Sequence, residues 1–174
     1  MEISDAQQEV RSVYRDGVVG QTVSGLIWLL SAALGTWVSV RAGVITLAVG
    51  GMFIFPFTQL ALRILGGPTT LRSENPLNGL AMQVAFIVPL SIPVIGAATL
   101  YNVGWFYPAF MVIIGAHYLP FVFLYGMRAY AVLASVLIAA GVAIGYLLPD
   151  TFSIGGWFGG AVLLLFAITA WSLR

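Results

Sequence analysis

The sequence from residue 21 to residue 65, QTVSGLIWLLSAALGTWVSVRAGVITLAVGGMFIFPFTQLALRIL, contains two long apolar runs separated by one short turn. The runs are Gln21–Val40 and Val44–Leu65, and Arg41 lies in the turn between them. Each run has about the 20 residues that a helix needs to cross the ~30 Å hydrocarbon core of a bilayer. This stretch therefore predicts a hairpin of two antiparallel membrane-spanning helices.

The same pattern continues to the end of the chain. Four more runs of spanning length follow: Gly79–Tyr101, Trp105–Tyr125, Tyr130–Leu148 and Ile154–Leu173. Only 7% of the 174 residues are charged and 60% are hydrophobic, whereas a soluble domain carries roughly 25% charged residues. Lipid must therefore be the solvent for most of the chain. The sequence predicts an all-α polytopic membrane protein, with a bundle of six transmembrane helices over residues 20–174.

The arginines predict the orientation of this bundle. Six spans place both termini on one side of the membrane, and Arg41 is alone on the opposite side. The arginines that share the side of the termini are Arg11, Arg15, Arg63, Arg72, Arg128 and Arg174. Because positive charge concentrates in cytoplasmic loops, we expect the N- and C-termini to be cytoplasmic. The expected location is the cell (inner) membrane, as a multi-pass protein.

Residues 1–19 form a separate N-terminal segment, cytoplasmic or interfacial. Apolar side chains recur in it near helical spacing, with charged side chains on the other faces, which predicts an amphipathic helix over residues 4–18. Ser4 and Gln7 match a capping box at its start. The segment is either an interfacial arm that gates the bundle or docks a partner, or a polar lead-in that anchors the first span. The lead-in is the favoured interpretation.

His117 is the only histidine and lies near the middle of the fourth span. A titratable group at that depth is a functional-site hypothesis by default, and the alternative is a neutral imidazole bonded to a neighbouring helix. Pro120 follows three residues later and removes a helical hydrogen bond beside the imidazole. In the third span, Pro89 and Pro93 lie one turn apart. They predict either a broken helix of the kind that transporters use or plain kinks.

Polar residues toward the cytoplasmic ends of the second to fourth spans predict a vestibule, if they face one another. They are Gln59, Arg63, Gln83, Tyr125 and Arg128. We expect Gln59 and Gln83 to face the bundle interior, because an amide without a partner is costly in lipid. Arg63 and Arg128 either attract an anion or a lipid headgroup, or extend to the interface while their stems stay in lipid.

The last span contains two overlapping small-residue pairs that permit close approach of helices. They are formed by Gly155, Gly156, Gly159 and Gly160. Packing within the chain is the default interpretation, and a seam between the copies of a homo-oligomer is the alternative.

The composition restricts the possible functions. There is no cysteine, no acidic residue lies inside a span, and the net charge is +1. These facts predict no enzyme activity, no metal site, no cofactor and no nucleic-acid partner. The remaining leading hypothesis is a small transporter or channel-like protein that acts on a small solute or a lipid of the bilayer. The alternative is a non-enzymatic membrane sensor, lipid-binding protein or accessory scaffold.

The run GAHYLPF at residues 115–121, which contains His117, Tyr118 and Pro120, is followed by Leu124-Tyr125. It resembles the signature of an uncharacterised family of small bacterial six-span membrane proteins. Asn75-Pro76-Leu77 and Ser24-Gly25 are similar to the same family. The resemblance implies six helices and supplies no activity. It makes residues 117–125 and 75–77 the first places to test.

Overall fold

The computed structural model describes residues 1–172, and these form helices joined by turns and loops. The helices are α1 Ile3–Tyr14, α2 Val18–Trp37, α3 Val40–Ile64, α4 Asn78–Tyr101, α5 Phe106–Leu124, α6 Ala129–Leu147 and α7 Ile154–Ser172. Within the described residues, six helices are long and apolar enough to span a membrane. The predicted all-α, six-span fold is therefore confirmed. Two residues of these predictions lie outside the described residues. They are Leu173, which ends the predicted sixth span, and Arg174, which is one of the arginines used to predict the orientation.

α1 is separate from the first span, although length and composition alone join them into one candidate span, Ile3–Trp37. The backbone between them is left-handed at three consecutive residues: Arg15 (φ 51°), Asp16 (φ 54°) and Gly17 (φ 79°). Such a run cannot continue a right-handed helix, so the spanning element is α2. The predicted helix over residues 4–18 is wrong at its C-terminal end for this reason.

The helices pack in two close groups. α2 packs tightly against α3 on one side and α7 on the other, and α5 packs tightly against α6 and less closely against α4. α3 and α4 follow each other in sequence but scarcely touch. A gap therefore separates them along the side of the bundle.

Small residues explain why α2 and α7 approach closely. A Cβ atom on Gly159 would lie 2.6 Å from the Trp28 ring, and one on Gly160 would lie 3.1 Å from the Gly25 carbonyl oxygen. The four glycines predicted as a packing motif are all buried inside the chain. α2 and α5 of the same chain cover them. These glycines therefore serve packing within the chain.

The prolines are accommodated without breaking their helices. α4 is continuous from Asn78 to Tyr101 through both Pro89 and Pro93, and α5 is continuous through Pro120. α4 is therefore not the broken helix that was one of the two alternatives. Spanning helices tolerate proline because neighbouring groups compensate for the missing hydrogen bond.

Candidate functional site

A cavity of about 390 Å³ lies between α2, α3, α4 and α5. We call it the α2–α5 cavity. Most of its wall comes from the first half of α2 and of α4, the middle and second half of α3, and the second half of α5. Tyr14 and Gly17 also line it, and Phe110 and Ile114 extend it into the first half of α5. The cavity therefore lies mainly in the half of the bundle nearest α1, which we call the α1 end. Its volume falls in the ~300–1,000 Å³ range of small-molecule sites.

The cavity opens sideways between α3 and α4. Met52 and Phe55 of α3 and Ala85 and Pro89 of α4 line it and are also exposed on the surface of the bundle. We call these four residues the α3/α4 opening. They lie near the middle of their helices, so the opening faces the hydrocarbon core of a membrane.

The cavity wall is mainly apolar and aromatic. Along its described lining there is no aspartate, glutamate, lysine or arginine. Its polar side chains are Gln21, Ser24, Thr58, Gln59 and His117, together with the indole N–H of Trp28 and the hydroxyl groups of Tyr14, Tyr118 and Tyr125. Some of this polarity is already used, because the Tyr118 hydroxyl donates a buried hydrogen bond of 2.7 Å to Gln21 Oε1.

Other polar atoms in the wall have no partner. Among residues 1–172, the buried side-chain nitrogen and oxygen atoms without a hydrogen bond are Trp28 Nε1, Thr58 Oγ1 and His117 Nδ1. All three residues line the α2–α5 cavity. Buried polar groups are normally paired, and an unpaired one costs about 1–3 kcal/mol. The cavity therefore collects hydrogen-bonding capacity that the fold does not use.

His117 is held by aromatic rings and by the neighbouring helix. Its ring lies 4.9 Å from the Phe121 ring and 5.3 Å from the Tyr118 ring, measured between centroids. It is also within hydrogen-bonding reach of the main chain of Val84 on α4. The imidazole therefore lies between aromatic rings of α5 and the main chain of α4, at the wall of the cavity.

The structure brings some of the predicted site residues together. Gln59, Tyr118, Tyr125 and Pro89 line the cavity together with His117. Pro120 and Pro93 lie outside its lining. The cavity is thus built from part of the predicted vestibule and part of the histidine segment.

Gln83, Arg63 and Arg128 do not line the cavity, and the predicted interior position of Gln83 is wrong. Gln83 is exposed on the outer face of α4, next to the buried Val84. It lies about 8 Å along the helix from Asn78, so its amide is near the end of the span. Arg63 and Arg128 are also exposed, close to the ends of α3 and α6. Their positions fit side chains that extend to the interface.

Sequence reasoning missed the wall that α2 contributes. Gln21, Ser24 and Trp28 are buried and line the cavity. Their spacing of three and four residues places them on one face of a helix. Polar residues at that spacing in an otherwise apolar span were the signal that could have identified this face.

α1 covers the α1 end of the bundle. Ala6 and Val10 are fully buried, and Gln7 Nε2 and Arg11 Nη1 donate to the carbonyl oxygens of Phe123 (2.6 Å) and Tyr125 (2.9 Å). These carbonyls lie at the C-terminal end of α5, where the regular helical hydrogen bonds stop, and the Phe123 carbonyl also accepts from the Gly126 N–H at 3.2 Å. Gln7 therefore bonds α5 and does not form the predicted capping box. The element is a packed cap on the bundle, which goes beyond the favoured lead-in interpretation.

The loop between α3 and α4 holds the other side of α1. Glu9 accepts hydrogen bonds from the Arg72 main-chain nitrogen at 2.7 Å and from Arg72 Nε at 3.2 Å. Asn75 is buried and donates to Glu9 and to the Ala6 carbonyl, at 3.2 Å each, while its Oδ1 accepts from the Leu77 nitrogen at 2.9 Å. The Arg72 main-chain N–H holds the pKa of Glu9 below its usual range.

A family model matches residues 3–173 of the chain. The chain belongs to the family of unknown function DUF7010. This confirms the expectation that it is a member of an uncharacterised family. No curated protein and no solved structure was found to match the chain.

The chemistry available in this DUF7010 member follows from the lining. Within residues 1–172 no group of three or more histidine, cysteine, aspartate or glutamate residues is placed to hold a metal ion. The cavity instead offers an indole N–H, a hydroxyl and an imidazole nitrogen in an apolar, aromatic surrounding. Such a wall can bind and orient an uncharged molecule.

Proposed function

We propose that the protein binds a lipid-soluble small molecule in the α2–α5 cavity and admits it from the bilayer through the α3/α4 opening. One observation carries the proposal. A single cavity is lined by Trp28, Thr58 and His117, each of which carries a buried polar atom without a partner, and that cavity opens at mid-helix.

The charge of the wall favours this function over an ion channel. An ion that enters a low-dielectric site loses its hydration and needs an opposite charge or several dipoles in return. The described lining carries no charged side chain. A molecule that already dissolves in hydrocarbon loses little on entering and gains hydrogen bonds. Of the two functions expected from the sequence, lipid binding therefore fits this cavity better than conduction.

Quenching of Trp28 fluorescence tests whether bilayer molecules enter. The protein is prepared with Trp28 as its only tryptophan, by replacing Trp37, Trp105, Trp157 and Trp171 with phenylalanine. It is reconstituted into phosphatidylcholine with brominated acyl chains. Although Trp28 is only 1% exposed, we expect strong quenching because chains reach it through the opening.

A pair of alanine substitutions on α4 supplies the control. Ala85→Phe fills the α3/α4 opening, whereas Ala97→Phe adds the same ring at an exposed position of α4 outside the cavity. We expect Ala85→Phe to reduce the quenching of Trp28 and Ala97→Phe to leave it unchanged. Equal quenching in both variants, or none in the unmodified protein, would show that the opening does not admit lipid.

A second candidate function is transport, with α1 as the moving part. The specific observation is that α1 closes the α1 end of the cavity, where Tyr14 lines the wall. Hydrogen bonds to the end of α5 and to the loop between α3 and α4 hold α1 there. If α1 moves away, a bound molecule gains a second exit. With both termini cytoplasmic, as we also propose, that exit leads to the cytoplasm.

A cross-link between α1 and the loop separates transport from binding. The chain has no cysteine, so Glu9→Cys and Arg72→Cys can be joined selectively by a short bismaleimide. We expect the cross-link to stop protein-dependent release of radiolabelled dodecan-1-ol from liposomes to cyclodextrin, while Trp28 quenching persists. The single variants, treated in the same way, are the controls. Unchanged release after complete cross-linking would exclude α1 as a gate.

A further inference from the structure

We infer that the ligand of the α2–α5 cavity is an uncharged lipid whose polar head carries a hydroxyl group. The inference rests on the proposed binding function and names the chemistry of the molecule bound. It depends on which groups in the wall can donate a hydrogen bond and which can accept one.

The head must supply an acceptor for the α2 and α3 side of the cavity. The Trp28 indole has an N–H donor and no acceptor nitrogen, and its Nε1 is buried without a partner. The Thr58 hydroxyl, which is also unpaired, can donate or accept. A molecule made only of hydrocarbon would leave both groups unsatisfied.

The same head must also pair with the α5 side. His117 Nδ1 is buried without a partner. A neutral imidazole has one donor nitrogen and one acceptor nitrogen. A head that both donates and accepts can therefore pair with Nδ1 in either tautomer.

Two of these groups lie at similar depth. At 1.5 Å per residue, Thr58 and His117 lie about 9 and 10 Å along their helices from the α1 end, and Trp28 lies about 15 Å from it. A compact head therefore meets Thr58 and His117 at one depth, with Trp28 about one helical turn farther from the α1 end. From this depth an apolar tail can leave toward the α3/α4 opening, which is apolar on both sides.

A hydroxyl group is the smallest head that both donates and accepts. Its oxygen can accept from Trp28, and its hydrogen can be donated to Thr58 or to His117 Nδ1. A carboxylate would accept but not donate, and its charge would have no counter-charge in the described lining. A methyl ether would accept but not donate, and so it cannot pair with His117 Nδ1 when that atom is the acceptor.

Photolabelling with three matched probes tests the inference. The probes are a hexadecanol with a diazirine near its head, the methyl ether of that alcohol, and the hexadecanoate with the same diazirine. Each is added to the full-length protein in phosphatidylcholine vesicles, and the labelled residues are mapped by mass spectrometry. Val132 and Ile168, which are 65% and 64% exposed on α6 and α7, report labelling from the bulk lipid.

We expect the alcohol to label the cavity wall about tenfold more than the ether or the carboxylate, since an unpaired buried group costs on the order of one to a few kcal/mol. All three probes should label Val132 and Ile168 to similar extents. His117→Phe should lower the labelling of the wall by the alcohol about tenfold, or about 1.4 kcal/mol. His117→Gln retains an acceptor in its amide oxygen, so this variant should keep more of the wall labelling by the alcohol than His117→Phe does.

Thr99→Val is the matched control, because its hydroxyl donates to the Ile95 carbonyl of its own helix and lies outside the cavity. It should leave all labelling unchanged. Equal labelling of the wall by alcohol and ether would overturn the hydroxyl assignment and leave the binding function standing. No labelling of the wall above that of Val132 and Ile168 would overturn the binding function itself.

Discussion

His117 and Tyr118 are neighbours on α5, and replacing each by phenylalanine should have opposite consequences. The Tyr118 hydroxyl makes a buried hydrogen bond of 2.7 Å with Gln21 on α2. His117 Nδ1 makes none. Tyr118 therefore uses its polar group to join two helices, whereas His117, which lines the cavity, has one polar atom that the fold does not pair.

The hydrogen bonds that each variant loses set the magnitudes. Tyr118→Phe deletes a bond between spanning helices and leaves Gln21 Oε1 buried without a partner. Such bonds average about 0.6 kcal/mol in membrane bundles and reach about 1.7 kcal/mol, and the unpaired oxygen places this case near the upper value. His117→Phe keeps the aromatic contact with Phe121 and loses only the contact with the Val84 main chain. Its cost should be about 0.6 kcal/mol or less.

The assay is reversible unfolding in mixed micelles with increasing sodium dodecyl sulfate, which gives the free energy of unfolding of each variant. Binding of the alcohol photoprobe is measured on the same preparations. We expect Tyr118→Phe to destabilise the protein by about 1–2 kcal/mol, and His117→Phe to reduce binding with little loss of stability. The reasoning is refuted if His117→Phe destabilises the protein as much as Tyr118→Phe and leaves binding unchanged, because the imidazole would then serve the fold.

Three further predictions concern the cap and the topology. Gly17→Ala should destabilise the protein at the turn between α1 and α2 by about 1 kcal/mol or more. Gly17 has a φ of 79°, and an added Cβ would overlap the Tyr130 hydroxyl. Thermal unfolding that matches the unmodified protein would contradict this. The lowered pKa of Glu9 means that its contribution to docking α1 is complete at neutral pH and is lost as the pH falls through that pKa. A fluorophore on α1 should therefore report undocking in acid, and Glu9→Gln should abolish that pH dependence. Reporter fusions at both termini should give cytoplasmic signals and a fusion after Asn102 an external one, whereas opposite signals at the termini would exclude an even number of spans.

The cap shows where prediction from sequence ends. The spacing of apolar residues such as Ala6 and Val10 predicts an amphipathic helix, and the structure contains it. The pattern does not say what its apolar face covers, because a lipid surface and a bundle end are equally good partners for it. The contacts of Gln7 with Phe123 and of Glu9 with Arg72 join residues far apart in the chain, and no local pattern encodes them.

The six spans follow from the sequence alone because the bilayer fixes their length and excludes charge, so each shows as a long apolar run. Which way each helix faces does not follow, because lipid and protein interior are equally apolar and the rotation of a helix leaves little trace in its composition. For this reason the sequence pattern predicts Gln83 at the bundle interior and does not identify Gln21 as a cavity residue. The α2–α5 cavity exists because α3 and α4 do not pack together, while glycines such as Gly159 and Gly160 hold α2 tightly against α7. Only the tertiary structure decides this, since a gap is a property of how helices pack and not of any one of them.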